Sequence, residues 1–195
     1  GFAAFSHTKA HRAWDAKWMD FEVIETSELE RDEGINPELA RTQNLEDDMP
    51  VLQEMSPVFA EDGQITAGNS SQLSDGAAAV LVASEEAALA NNLDILAYVV
   101  DYCTSGVEPA RVMAAPIPAI ETLLERNKMT MEDLSFVEHN EAFAAASCAI
   151  QSACNIPSFK FNPHGGAIAI GHPLGATGAT DSLAQPYYTR KRAGS

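Results

Sequence analysis

The chain has 195 residues, of which 46% are hydrophobic and 21% charged, and its formal net charge is -16. That length and hydrophobic content suffice for an ordinary domain with a core. The acidic balance argues against nucleic acid as a partner, because phosphate binding needs a basic surface, and no apolar run approaches the roughly 18 residues of a membrane span.

The N-terminal residues and the cysteines bear on location. The first twenty residues contain no apolar stretch of the kind that directs secretion. The cysteine count is odd and the spacing does not suit a metal site, which predicts reduced thiols in an intracellular, cytoplasmic protein. We interpret Cys103, Cys148 and Cys154 as small buried hydrophobes.

Residues 1–57 are charged and polar. Residues 4–17 place apolar side chains at helical spacing and predict an amphipathic helix, with Phe5, Ala10, Ala13 and Trp14 on its apolar face. His7 and His11 have the spacing of two metal ligands, but no third ligand is evident, so we interpret both as surface residues of this helix. Residues 25–48 are acidic and are interrupted by Gly34 and Pro37, which predicts a surface excursion.

From Pro57 onward, predicted strands alternate with predicted helices. Short apolar runs at residues 77–83, 95–103 and 135–138 suit buried strands. Helices are predicted to begin after Ser84, a candidate N-cap, and over residues 118–126 and 142–153. This alternation predicts a layered α/β fold.

The stretch with the most specific pattern is Asn162–Gly178, NPHGGAIAIGHPLGATG, which holds five glycines. Gly171 allows the chain to turn sharply and present His172, and Pro173 fixes the exit direction. A histidine held this way can act as a general base or activate a thiol. The alternative is a tight structural loop with a solvent-facing histidine.

Two further stretches fall where strands are predicted to end or begin. Asn140–Ala144, NEAFA, lies at a junction of strand and helix. Asn140 either caps the helix or donates a hydrogen bond to a thioester oxygen. Ile65–Ala79, ITAGNSSQLSDGAAA, is either a loop rich in Asx and ST turns or the wall of a narrow channel for an extended ligand.

These three stretches, in this order, resemble the thiolase family. Asn162–Gly178 resembles its Gly-His-Pro signature, Asn140–Ala144 its Asn-Glu-Ala-Phe motif, and Ile65–Ala79 its coenzyme A channel. The resemblance implies an α/β thiolase-like layered fold (αβαβα), here an incomplete C-terminal half with part of the loop domain. Residues 1–57 would be the loop-domain portion, and residues 58–195 the C-terminal half, truncated before the final Cys/Gly turn.

The resemblance also implies the chemistry and the site. Thiolases transfer acyl groups between acyl-CoA thioesters, with coenzyme A as substrate, no covalently bound cofactor and no metal, and they form dimers or tetramers. His172 matches the histidine that activates the nucleophilic cysteine, and Asn140 matches the asparagine that positions a water in an oxyanion hole. The positions that match the pantetheine channel or lie beside it are Phe59, Ser71, Ala142 and Phe143.

Departures from the family pattern bear on activity. None of the three cysteines matches the surroundings of the family's nucleophile, so we expect that cysteine on a missing N-terminal half or a second chain. Arg31 and Arg41 are the cations in the acidic region that we would test first for phosphate contacts. The resemblance fades after Gly178. The alternative is a catalytically dead module of thiolase descent that binds acyl-CoA or serves in assembly.

Overall fold

A computed structural model describes residues 1–20, 22–24, 26, 32–40 and 49–182 of the chain. The helices of this part are α1 (Phe2–Asp15), α2 (Pro37–Ala40), α3 (Met49–Gln53), α4 (Glu85–Ala90), α5 (Pro116–Asn127), α6 (Ala144–Ala153), α7 (Ala167–Ile170) and a helix over residues 174–182, here α8. Short 3-10 turns occupy Ala67–Asn69 and Pro109–Ala114. None of the described helices is long and apolar enough to cross a membrane.

Helix α1 packs over the glycine-rich stretch through its smallest side chains. Its buried residues are Ala3, Ala4, Ser6, His7, Thr8, Ala10 and Ala13, whereas Phe5 and Trp14 are only half-buried. A Cβ at Gly165 would lie 2.6 Å from the Ser6 carbonyl oxygen and 2.8 Å from the Ala10 Cβ. Backbones this close require glycine, and Gly165 also has a left-handed φ of +82°.

Among the residues described, the core consists of three small clusters that meet around α1, α6 and α7. One joins Ala3, Ala144 and Ile168, and the second joins Ala10, Ile35 and Ala169. The third and largest joins Ile150, Ile156 and Phe161, with Ile117 and Ile120 of α5 packed against it. The core is therefore concentrated beneath the glycine-rich stretch that carries His172.

The interpretation of the two helical histidines as surface residues is wrong for His7. Its side chain is buried, its Nδ1 accepts the Asn36 N–H at 3.4 Å, and burial lowers its pKa. Ile35, beside Asn36, also packs on α1, against Ala10. His11 pairs with Asp15 at 3.0 Å on a more open part of the helix. Within the described ranges, no three His, Cys, Asp or Glu side chains are grouped to hold a metal ion.

The helix predictions agree with the structure, but the strand predictions do not. The helix predicted over residues 118–126 is α5, the one over 142–153 is α6, and the Ser84 Oγ caps α4 by accepting the Ala87 N–H at 3.2 Å. In the described part of the chain, segments 77–83, 95–103 and 135–138 form no β-ladder. The one bridge among them joins Val137 to Phe161 in parallel. A strand needs a neighbouring backbone about 4.8 Å away, and the first two segments are instead largely exposed.

The cysteine predictions also need correction. Cys103 and Cys154 are half-buried and Cys148 is exposed, so none is a fully buried hydrophobe. Cys148 lies on α6, whose buried residues are Ala144, Ala146, Ser147 and Ile150. The cysteine thus belongs to the outer face of the helix. All three thiols are free, as the sequence predicted.

Candidate active site

The structure brings together the two residues that the sequence singled out for catalysis. The Asn140 Nδ2 lies 3.2 Å from the His172 Nε2, although 32 positions separate them in sequence. Asn140 does not cap the following helix, because the N-cap of α6 is Phe143. The Asn140 Oδ1 is buried and has no hydrogen-bond partner among the described residues. One end of the amide therefore contacts the imidazole and the other is left unpaired.

A glycine and a polar loop hold His172 in place. Gly171 ends α7 with φ 87° and ψ 170°, a conformation that side chains other than hydrogen rarely allow. The His172 N–H donates to the Gln72 carbonyl at 3.3 Å. The Gln72 side chain amide in turn lies 3.0 Å from the Ala169 carbonyl oxygen and 2.8 Å from that of Gly34. The loop around Gln72 thus fixes the backbone on both sides of the turn.

Thr177 contacts the other nitrogen of the imidazole. Its Oγ1 lies 2.7 Å from the His172 Nδ1 and 3.1 Å from the Pro173 carbonyl oxygen. Thr177 is buried on α8, one turn beyond Pro173. Thr177 was not among the site residues predicted from the sequence. A signal was present, because a hydroxyl one helical turn after a His-Pro pair faces back toward the histidine.

Glu141 ties the Asn140 stretch to the glycine-rich stretch and to α1. Its Oε1 accepts the Asn162 Nδ2–H at 2.8 Å, and its Oε2 accepts the Ser6 hydroxyl at 2.6 Å and the Ile168 N–H at 3.3 Å. A Cβ at Gly166 would lie 2.4 Å from the Glu141 Cδ, so the carboxylate fills the space that this glycine leaves.

Burial dominates the electrostatics of this network. It raises the pKa of Glu141, against the opposing hydrogen bonds from Ser6, Asn162 and the Ile168 N–H and the charge of Lys9. It also lowers the pKa of Lys9 to about 8, which the charges of Glu141 and Glu138 partly offset. The Lys9 Nζ donates to the Phe161 carbonyl at 2.7 Å. A buried carboxyl and a partly buried amine therefore lie behind the site, each with hydrogen-bond partners.

Asn162 and His139 fix the backbone beside Asn140. The Asn162 Oδ1 accepts the His139 N–H at 2.7 Å, and its Nδ2 donates to the His139 carbonyl at 2.8 Å. The His139 ring stacks on Phe161 with centroids 5.8 Å apart, and burial lowers its pKa to about 4. His139 is therefore a neutral packing residue near pH 7, and its paired backbone orients the neighbouring Asn140.

The residues predicted to line a ligand channel lie next to one another. The Phe59 and Phe143 rings meet edge to face with centroids 6.1 Å apart. The Ser71 N–H donates to the Ala142 carbonyl at 2.9 Å, and Ser70 bridges to Phe143. Phe59 is 74% exposed, which leaves most of its ring free to contact a ligand. Arg31 and Arg41 lie outside the described residues.

Comparison with known proteins identifies the family. A sequence model of the thiolase C-terminal domain matches residues 93–193, and one of the thiolase N-terminal domain matches residues 1–86. The chain belongs to the thiolase family. The C-terminal match continues past Gly178, where we expected the resemblance to fade. The proposed division of the chain at residues 57 and 58 stays a prediction.

Relatives and solved structures place the chain within thiolases. A probable acetyl-CoA acyltransferase of Staphylococcus aureus is 39% identical over 180 residues, which cover 91% of this chain and 46% of that protein. The crystal structure of human mitochondrial 3-ketoacyl-CoA thiolase in complex with CoA matches with a TM-score of 0.87 and 36% identity, over 99% of this chain and 48% of that one. The dimeric peroxisomal thiolase of Saccharomyces cerevisiae matches with a TM-score of 0.83 and 36% identity, over 96% of this chain and 46% of that one.

These matches confirm the predicted fold class, a partial thiolase fold. The chain spans about half the length of the thiolases that it matches.

Proposed function

We propose that this chain is one part of a thiolase that transfers acyl groups between acyl-CoA thioesters, in 3-ketoacyl-CoA thiolysis or acetoacetyl-CoA synthesis. The nucleophilic cysteine would come from the remaining part of a thiolase N-terminal half, or from a second chain, outside these 195 residues, and the complete enzyme would be an oligomer. The S. aureus relative is named as a probable acyltransferase, and the human structure contains CoA. Both support this substrate class.

The observation that carries the proposal is the 3.2 Å contact between the Asn140 Nδ2 and the His172 Nε2. In the proposed reaction, the imidazole takes the proton of an incoming cysteine thiol, and the thiolate attacks the thioester carbonyl. Hydrogen-bond donors beside the carbonyl stabilise the negative charge that develops on its oxygen. In synthesis, CoA then leaves as its thiol with the proton returned by the imidazole, and the α-carbon of a second acyl-CoA loses a proton and accepts the acyl group. In thiolysis, the thiolate instead attacks the 3-keto carbonyl, acetyl-CoA leaves with a proton added to its α-carbon, and the thiol of a free CoA takes the acyl group and returns its proton to the cysteine.

The unpaired end of the Asn140 amide supports a role beside that oxygen. A buried polar atom without a partner is unfavourable by about 1–3 kcal/mol, so such atoms persist chiefly where a ligand or water completes them. The Asn140 Oδ1 only accepts, so a water that donates one hydrogen to it would complete it, and the second hydrogen of that water would be available to the thioester oxygen. The slot formed by Phe59, Ser71, Ala142 and Phe143 would then guide the pantetheine arm toward the pair.

The cysteines of the chain itself are poor candidates for the nucleophile. Desolvation raises the pKa of both Cys148 and Cys154, which favours the thiol over the reactive thiolate. The one hydrogen bond described for Cys103 goes to the Ala119 carbonyl on α5. No hydrogen bond among the described residues joins a cysteine to His172 or Asn140.

The first test is the intact mass of the natively purified protein under native and denaturing conditions. We expect either a polypeptide larger than this 20.9 kDa chain or a second polypeptide bound to it. It should contain a cysteine that iodoacetamide labels and that acetyl-CoA protects from labelling. A single species of this mass without acetoacetyl-CoA thiolysis activity would contradict the proposal.

The second test measures thiolysis by the assembled enzyme with substitutions in the pair. His172→Gln removes the base, and we expect kcat/KM to fall by about 10²–10⁴. Asn140→Ala removes a donor near the reacting oxygen, with an expected fall of about 10²–10³. Asn91→Ala, at the exposed end of α4, is the matched control and should leave activity unchanged. Equal rates for all three variants would remove the catalytic assignment.

A catalytically dead acyl-CoA-binding or assembly module is the second candidate, and the exposed apolar side chains fit an assembly role as well as they fit the two-part enzyme. Leu81, Val82, Val99 and Val100 are each more than 75% exposed, and such patches commonly mark interfaces. Calorimetry with CoA and acetyl-CoA separates the candidates when combined with the activity assay. Binding without turnover in the assembled protein would favour the module, and turnover would exclude it.

A further inference from the structure

Two contacts of the His172 imidazole restrict where its proton lies. On one side, the Asn140 Nδ2 approaches the His172 Nε2 at 3.2 Å. An amide nitrogen only donates, so Nε2 must accept and carries no proton in the neutral ring. On the other side, the His172 Nδ1 lies 2.7 Å from the Thr177 Oγ1 and must then donate to it.

The hydroxyl of Thr177 completes a consistent chain. It has a single hydrogen, and its Oγ1 lies 3.1 Å from the Pro173 carbonyl oxygen, which can only accept. Thr180 and Ser182 on the same helix make the same contact four residues back, at 3.0 and 2.7 Å. With its hydrogen directed to Pro173, the Thr177 oxygen is free to accept from Nδ1.

We propose that Thr177 is a positioning residue that holds His172 in the tautomer protonated at Nδ1. The lone pair of Nε2 then faces the Asn140 side, where the proposed reaction needs a base. This inference rests on the proposed function for its catalytic meaning, but the tautomer itself is a property of the described chain.

The surroundings of the ring fit this role. Thr177 is 9% exposed, so solvent competes little for its hydroxyl. The titratable neighbour is Asp181, one turn further along α8. Burial raises the pKa of its carboxyl, and the nearby His172 acts in the opposite direction. Two uncharged groups on the facing elements contact His172. The Asn140 amide contacts its ring, and the Gln72 carbonyl accepts its backbone N–H.

The test is nitrogen NMR of the uniformly ¹⁵N-labelled 195-residue chain above pH 7.5, where couplings to the ring protons distinguish the two tautomers. His172→Gln identifies the signals of His172 among those of the five histidines. We expect the wild-type ring to be protonated at Nδ1. Protonation at Nε2 in the wild type would overturn the proposal.

Matched substitutions separate the hydroxyl from the shape of the side chain. Thr177→Val keeps the shape and removes the hydroxyl, and we expect the ratio of Nδ1–H to Nε2–H tautomer to fall about fivefold, the factor set by one ordinary hydrogen bond. Thr177→Ser keeps the hydroxyl and should keep the wild-type ratio. An unchanged ratio in a folded Thr177→Val protein would overturn the proposal. If that variant does not fold, Thr177→Ala provides the same comparison.

Activity of the assembled enzyme gives an independent result. We expect Thr177→Val to lower kcat on the order of fivefold with KM unchanged, and Thr177→Ser to restore kcat. If Thr177 had a purely structural role, Thr177→Val would not shift the tautomer ratio while Thr177→Ser restores kcat. If the wild-type assembly has no thiolysis activity but the tautomer results hold, the proposed function fails and the positioning of His172 stands.

Discussion

Gly171→Ala tests whether the turn before His172 is as restrictive as its geometry indicates. An alanine Cβ at this position would lie 1.9 Å from the Ser74 Oγ and 2.7 Å from the Ser74 Cβ. It would also force a side chain into φ 87°, ψ 170°, a region that only glycine adopts readily. Gly171→Ala therefore combines a backbone conformational penalty with a steric clash, and the two energies can be measured separately.

The magnitudes follow from these two effects. The backbone conformation is unfavourable by about 1–3 kcal/mol for alanine. Overpacking against Ser74 adds about 1–3 kcal/mol. We expect Gly171→Ala to lower the free energy of unfolding by about 2–6 kcal/mol, a large part of the roughly 5–15 kcal/mol of a typical domain. The displaced His172 should also lower thiolysis activity in the assembled enzyme.

Urea denaturation followed by circular dichroism is the assay, with Ser74→Gly as the second member of a double-mutant cycle. Ser74→Gly removes both clashing atoms, so the coupling between the two substitutions should be favourable by about 1–3 kcal/mol, while the backbone penalty persists. Gly175→Ala is the control, because a Cβ there meets nothing within 4 Å. A Gly171→Ala protein as stable as wild type, or a coupling of zero, would refute the reasoning.

Three further predictions concern pH and helix stability. Burial lowers the pKa of His139 from 6.5 to about 4. The stability that its neutral form contributes is therefore complete above pH 6.5 and is lost as the pH falls toward 4. We expect His139→Asn to remove about 3 kcal/mol of this acid destabilisation, measured by urea titration, with His11→Asn as the control. Burial raises the pKa of Glu22 to about 7, so the stability associated with its neutral form is lost as the pH rises through 7; Glu22→Gln should raise the melting temperature at pH 8 but not at pH 5. Gly178→Ala lies within α8 in open space and should stabilise the chain by about 0.5–1 kcal/mol in the same denaturation assay, whereas a destabilisation would show an unrecognised contact.

Local signals explain why α1, α4, α5 and α6 could be predicted. The apolar spacing of residues 4–17 gave α1 to within two residues at each end, and the Ser84 cap lies where its sequence context indicates. The glycines of residues 162–178 also indicated close packing, and the structure shows it where Gly165 meets α1 and Gly166 meets Glu141. Periodicity, caps and glycines act over a few residues, and such features can be recognised in a single sequence.

The supporting network of the candidate site could not be predicted in the same way. Ser6 and Glu141 are 135 positions apart, and nothing local in either segment indicates their 2.6 Å hydrogen bond. The contact between Asn140 and His172 was anticipated only through the resemblance to thiolases, since spacing alone also allowed a capping asparagine and a solvent-facing histidine. The catalytic roles of both residues and the ligand-binding roles of Phe59 and Ser71 stay predictions until the assays above are done.

The failed strand predictions show what composition leaves open. Segments 77–83 and 95–103 are apolar enough for buried strands, but a strand forms only when another backbone takes its hydrogen bonds. In the described chain, Val82 and Val100 are about four-fifths exposed. The two segments therefore have the composition of buried strands, but among the described residues no other element covers them. Each exposed valine side chain would gain about 1.5–3 kcal/mol on full burial. A second thiolase half docked on these segments would supply both the missing ladder partner and this burial, so the same feature that contradicts the strand prediction supports the proposed two-part enzyme.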